Sequence, residues 1–145
     1  MNKFLFLFFI FVISVNGFAQ EKEIDPPQII SFDQVEQPPL SKRCKPKGSA
    51  QKQRDCTSSY INNYVNRNFD LNMASKLVKG LVKLEARFVI DKEGRVKDVS
   101  ASGGPKKINE HLEEVLASLR DFKPGRENGI PVEVSYWVPV TFMTR

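Results

Sequence analysis

A chain of 145 residues with a net charge of +5 has room for one small domain and a single modest core. The basic balance is compatible with attraction to anionic surfaces or acidic peptides. There is no internal repeat, and one histidine among scattered carboxylates supplies no constellation for catalysis, so no catalytic residue and no cofactor are expected.

The chain opens MNKFLFLFFIFVISVNGFAQ, with Lys3 ahead of an apolar run and small residues at Gly17 and Ala19. That layout predicts a secretory signal over residues 1–19, cut after Ala19. As a helix the apolar run, residues 4–15, would span about 18 Å against roughly 30 Å of bilayer hydrocarbon, which argues against a retained anchor. Membrane association is expected only if this segment is kept. Export counts against nucleic acid as a partner, and in a two-membrane bacterium it places the protein in the periplasm.

Residues 20–55 are rich in Pro, Gln, Lys and Arg and show no periodicity, so they are expected to form an extended arm. Its basic run, from Lys42 to Arg54, reads as a solvated loop. Cys44 and Cys56 are the only cysteines. In an oxidising compartment an even pair predicts a disulfide, worth about 3 kcal/mol in the chain-entropy account. A metal site is the poorer reading, because the two lie far apart with no histidine nearby.

From residue 56 onward the pattern becomes regular, and 56–145 is read as the folded domain. Tyr60, Ile61, Tyr64, Val65 and Phe69 recur at helical spacing, with Thr57 or Ser58 as cap. Residues 71–77 hold a further helical turn, and Gly80 punctuates it. Val82, Leu84, Ala86, Phe88 and Ile90 then alternate with polar neighbours as a half-buried strand. Asp91 to Gly94 make a hairpin turn, and Val96 and Val99 break alternation in the return strand, which suggests a bulge. Ser102-Gly103-Gly104-Pro105 is a turn; the remainder of a phosphate-binding loop is missing. Leu112, Val115, Leu116 and Leu119 form the stripe of a second helix capped at Asn109, with His111 on its charged side. Residues 123–129 are turn-forming throughout. The last strand puts Val132, Val134, Tyr136, Val138, Val140 and Phe142 on one face, and Glu133, Ser135, Trp137, Pro139 and Thr141 on the other.

The expected fold is therefore α+β: a two-layer αββαβ unit with a three-stranded antiparallel sheet, order 2-1-3, and the helices on one face. The first two strands form a tight hairpin, so the third lies outside it at an edge. Pro139 agrees, since it lacks the N–H that a central strand uses. Such an edge can capture an extended peptide or pair with a second copy of the chain. The edge residues are Val132, Glu133, Val134, Ser135, Tyr136, Trp137, Val138 and Val140. Trp137 exposed beside an open edge favours recognition; Trp137 covered by a second protomer favours a homodimer.

Two segments, GLVKLEARFVIDKEGRVKDV and INEHLEEVLASLRDFKPGRENGIPVEVSYWVPVTF, together resemble the TonB C-terminal domain over residues 80–142. Upstream, the cysteine pair and NNYVNRNF look like the versions common in Bacteroidota. The resemblance implies a non-catalytic domain that binds the extended TonB-box segment of outer-membrane transporters as an added strand on its last strand. It implies a part in TonB-dependent transmembrane transport. A structural or self-associating periplasmic module using the same edge is the alternative. The chain departs from the family in having FDLNMAS where a tyrosine-proline step often follows the first helix. Its arm reaches at most about 120 Å, so peptide binding carries over more directly than transmission of force.

Overall fold

Alternation sets the centre of the molecule. β3 (Gly80–Ile90) and β7 (Ile130–Thr144) each bury every second side chain, and they pair antiparallel from Gly80↔Thr144 to Ile90↔Val134. The computed structural model describes residues 28–145. The segment expected to be a secretory signal and the start of the arm lie outside the described residues. Along the chain come β1 (Ile29–Ser31), β2 (Leu40–Ser41), α1 (Ala50–Asn68), α2 (Leu71–Leu77), β3, β4 (Val96–Ser102), α3 (Lys106–Ala117), β5 (Phe122–Lys123), β6 (Gly125–Glu127) and β7.

The fold is α+β. β4 and β7 flank β3, both antiparallel to it, so these three strands stand in the expected order 2-1-3. The sheet is larger than expected, however, with five strands rather than three, and it is not wholly antiparallel. β1 joins the far side of β7 in parallel, pairing Ile29↔Glu133, Ile30↔Val134 and Ser31↔Ser135. β6 folds back onto the start of β7, pairing Gly125↔Val132 through Glu127↔Ile130. A three-residue strand is too short to show a period, and turn-forming residues mask β6.

The helices cover one face. α1 buries Ile61 and Val65, and α3 buries Ile108, Leu112, Val115 and Leu116, in one core with the inward residues of β3 and β7. Thr57 of α1 is buried against the arm. On the opposite face Lys83, Glu85, Arg87, Trp137, Pro139 and Thr141 are exposed. There the Lys97–Glu133 ion pair, 2.5 Å, links β4 to β7 beside Val89, which is buried.

Helix boundaries shift from the expected ones for identifiable reasons. α1 starts at Ala50 because Ser49 accepts the Lys52 N–H. Thr57 therefore sits inside the helix, where its hydroxyl donates to the Pro39 carbonyl and accepts the Ser41 N–H. α3 starts at Lys106, directly after Pro105; the Asn109 amide instead closes the preceding turn by bonding both the N–H and the carbonyl of Gly104. His111 is not simply solvated: its Nε2 accepts the Asp70 N–H at 3.0 Å, tying the start of α2 to α3.

The arm is part of the core. Phe32 is 5% exposed and Val35 fully buried, with the Phe32 ring 4.5 Å from that of Tyr136. Arg54, far from being a solvated member of a basic loop, donates to the carbonyls of Phe32 and Val35. β2 pairs with β5, and the Cys44–Cys56 disulfide fixes the end of the arm to α1.

Two turns depend on positive φ. Asn128 and Gly129 (φ 49° and 76°) make the two-residue loop between β6 and β7. Gly94 (φ 80°) closes the β3–β4 hairpin, and β5 packs so near it that a Cβ there would lie 1.9 Å from the Phe122 carbonyl oxygen. The expected bulge appears as a register shift between Arg87 and Val89. Asp91 organises the same hairpin, its Oδ1 accepting the Glu93 and Arg95 N–H groups and its Oδ2 the Arg95 guanidinium. Burial would raise its pKa, but these donors together outweigh it and hold the carboxyl below its ordinary value of 3.8.

Two outcomes follow from these contacts. Phe32→Ala should destabilise the protein by about 3–5 kcal/mol in denaturant titrations. Asp91→Asn should cost about 1–2 kcal/mol at neutral pH. A lowered carboxyl pKa stabilises above the unfolded value and loses that contribution as pH falls through the folded one. Stability curves of wild type and Asp91→Asn should therefore converge below about pH 4.

Candidate functional site

A strand directs the backbone N–H and C=O of successive residues to opposite sides. In β7 the Ser135 carbonyl accepts the Phe32 N–H, so Ser135 faces β1 and away from β3. By alternation Glu133, Ser135, Trp137, Pro139, Thr141 and Met143 direct their backbone groups to the outer side. Val134, Tyr136, Val138 and Val140 direct theirs to β3.

The expectation that the last strand is an edge along its length needs correction. Glu133 and Ser135 are occupied by β1, which lies beside Val134 as well, and Val132 is paired with β6. Tyr136 and Val138 are buried and Val140 is half-buried, all three in the ladder with β3. Of the expected edge residues, only Trp137 presents free outward backbone groups. The open edge comprises Trp137, Pro139, Thr141 and Met143, facing no strand among the described residues. Seven residues of strand measure about 20 Å.

Pro139 falls on the outer side, where its missing N–H breaks no ladder bond. That proline was the sequence signal for which parity faces outward, and it points to Thr141 and Met143 as well. The walls of the groove leave no such signal, because they come from α1. At the Trp137 end, where the arm turns away from β7, a notch of about 430 Å³ is lined by Ser31, Phe32, Asp33, Ser58, Arg87 and Trp137, among others. Further along, Asn62 and Asn66 stand beside Pro139 and Thr141 around a cleft of about 240 Å³. Ser58, Asn62 and Asn66 are four residues apart and so share one helix face.

Two features fix the notch. The Tyr136 hydroxyl donates to Ser58 Oγ at 2.8 Å, fastening α1 to β7. Burial raises the Tyr136 pKa against the opposing effect of that bond, keeping the phenol protonated as a donor. Arg87, on β3, is the cross-strand partner of Trp137 on the open face. Trp137 is 51% exposed and Met143 63%.

The opposite sheet edge is less accessible. The N–H of Ala101 in β4 is taken by the Glu113 carboxylate at 2.8 Å, and Asp98 has φ 51°, which interrupts a regular ladder. Comparison with protein-family models, with curated proteins and with solved structures finds no match.

Trp137→Ala removes a ring that is half exposed and lies outside the buried core cluster. Thermal or denaturant unfolding should change by less than about 0.5 kcal/mol, so this variant can report on binding alone.

Proposed function

We propose that the protein binds an extended peptide by strand addition along residues 137–143 of β7. The observation that carries this reading is the unpaired outer side of that strand, walled by α1 on one side and marked by an exposed tryptophan. Backbone bonding to Trp137, Thr141 and Met143, and to the carbonyl of Pro139, supplies affinity; the groove walls supply selectivity. Trp137 is the anchor, since a large amphipathic ring costs little entropy to immobilise.

The resemblance of residues 80–142 to the TonB C-terminal domain identifies the peptide in this proposal as the TonB-box segment of an outer-membrane transporter. The protein then acts as an exported, non-catalytic periplasmic component of TonB-dependent transport. Its arm strand shortens the receiving edge at the Glu133 end and leaves the far end open. A second copy pairing through the same edge is the competing reading, and Pro139 weighs against it. In a two-fold pairing the proline occurs on both strands, so each copy loses a ladder bond.

The test is an NMR titration of the labelled protein with TonB-box peptides, read by amide exchange. Slowed exchange at Trp137, Thr141 and Met143 is expected, with Val138 and Val140 unchanged because β3 already protects them. Trp137→Ala should weaken binding by about tenfold or more. Protection of the outer amides before any peptide is added, together with a dimer mass in solution, would establish self-association instead.

A further inference from the structure

A second concave site lies along α1, on rows other than the one that walls the β7 edge. Ser59, Asn63 and Arg67 are spaced by four residues and form one row on the exposed side of the helix. Tyr60 and Tyr64 form the adjoining row, their ring centroids 6.2 Å apart. Arg43, from the arm, closes one end with its guanidinium 5.7 Å from the centre of the Tyr60 ring. These six residues, with Asn68 and both cysteines, enclose about 470 Å³, a volume that suits a small molecule.

The charges in this groove are unbalanced. Among the described residues neither Arg43 nor Arg67 forms an ion pair, and no carboxylate lines the cavity. Among the described residues the side chains of Ser59, Asn63 and Arg67 also make no hydrogen bond, so a run of donors faces outward beside two aromatic rings. Tyr64 and Asn68 are already engaged: the Tyr64 hydroxyl lies 2.9 Å from Ser118 Oγ, and the Asn68 amide donates to the Tyr64 carbonyl. Their polar groups are therefore spent within the protein, and of the two only the Tyr64 ring face is left to meet a ligand.

Arg43 reaches the groove because of the disulfide. Cys44 is bonded to Cys56, and Tyr60 lies one helical turn beyond Cys56, so the cross-link holds the preceding arginine above that ring. The Arg43 N–H also contacts Ser41 Oγ at 3.3 Å.

From this juxtaposition we propose that the α1 groove binds an acidic saccharide, a sugar ring carrying a carboxylate or phosphate. The acid group is held by the guanidinium of Arg43 or Arg67, the hydroxyls by Ser59 and Asn63, and the apolar face of the ring lies on Tyr60 and Tyr64. Guanidinium forks suit planar carboxylate and phosphate oxygens. Amide and hydroxyl side chains both donate and accept, as sugar hydroxyls demand. The site is independent of peptide capture at β7.

The experiment titrates the labelled protein separately with glucuronate, glucose 6-phosphate and glucose, following the amides of Arg43 and of residues 59–68. Saturable shifts with at least one of the two acids are expected, with much weaker ones for glucose. A response to only one acid would assign the carboxylate or the phosphate source. Of Arg43→Ala and Arg67→Ala, both surface changes, the one that removes the acid's partner should reduce affinity about tenfold and so identify it. Replacing both cysteines by serine should reproduce the Arg43→Ala result. The proposal fails if neither acid gives a saturable shift at millimolar concentration, if glucose binds equally well, or if both arginine variants bind like wild type.

Discussion

Everything in this protein hangs on the ladder between β3 and β7. Eleven residues of β3 face eleven of β7, and the inward side chains of that pair, Leu84, Ala86, Phe88, Val134, Tyr136 and Val138 among them, are buried beneath the helices. A slip of one residue would turn this apolar set to solvent and the Lys83, Glu85, Arg87 row into the core, so the register is strongly specified. The same register decides which backbone groups of β7 remain on its outer side. The exposed edge and the core are thus two results of one alignment.

The arm shows how a segment without periodicity can be structural. Its order comes from point contacts: Phe32 and Val35 in the core, Arg54 on two carbonyls, Thr57 on Pro39 and Ser41, and a disulfide at its end. Each is a long-range contact made by a single side chain. Together they place β1 beside Glu133–Ser135 and bring Arg43 above α1, so both candidate surfaces owe their limits to the arm.

Elements whose residues alternate or recur over several turns were legible in the sequence. Val82 to Ile90, Val132 to Phe142 and the stripe through Leu112, Val115 and Leu116 reveal their period locally, and Asp91 to Gly94 reveal their turn chemistry. The order of β4, β3 and β7 followed from the tight hairpin, which puts β7 outside the pair, together with a right-handed helical crossover that sets β7 parallel to β4. What could not be read was decided by partners distant in sequence. β1 is a strand only because Glu133–Ser135 lies beside it, and Arg54 is structural only because two carbonyls of a turn point at it. Glu133 and Ser135 were lost from the expected binding edge for that reason, and of that edge Trp137 alone stays open, on the outward parity that Pro139 shares. Thr57 looked like a helix cap because Ser49, the residue that serves as one, sits in a stretch with no apolar pattern following it.

The parallel sense of β1 has a mechanical meaning. β1 has its first residue, Ile29, toward the Ile130 end of β7, whereas the open edge extends toward Met143. Tension between the N-terminal side of the arm and a strand held on that edge would run along the strand axis in opposite directions. The bonds joining β1 to residues 133–135 would then be loaded in shear and would share the load, instead of opening one after another from an end. Behind them, Phe32 and Val35 in the core form the next barrier to extraction. A short arm joined in this sense makes a stiff attachment point, where the same three residues running antiparallel would peel.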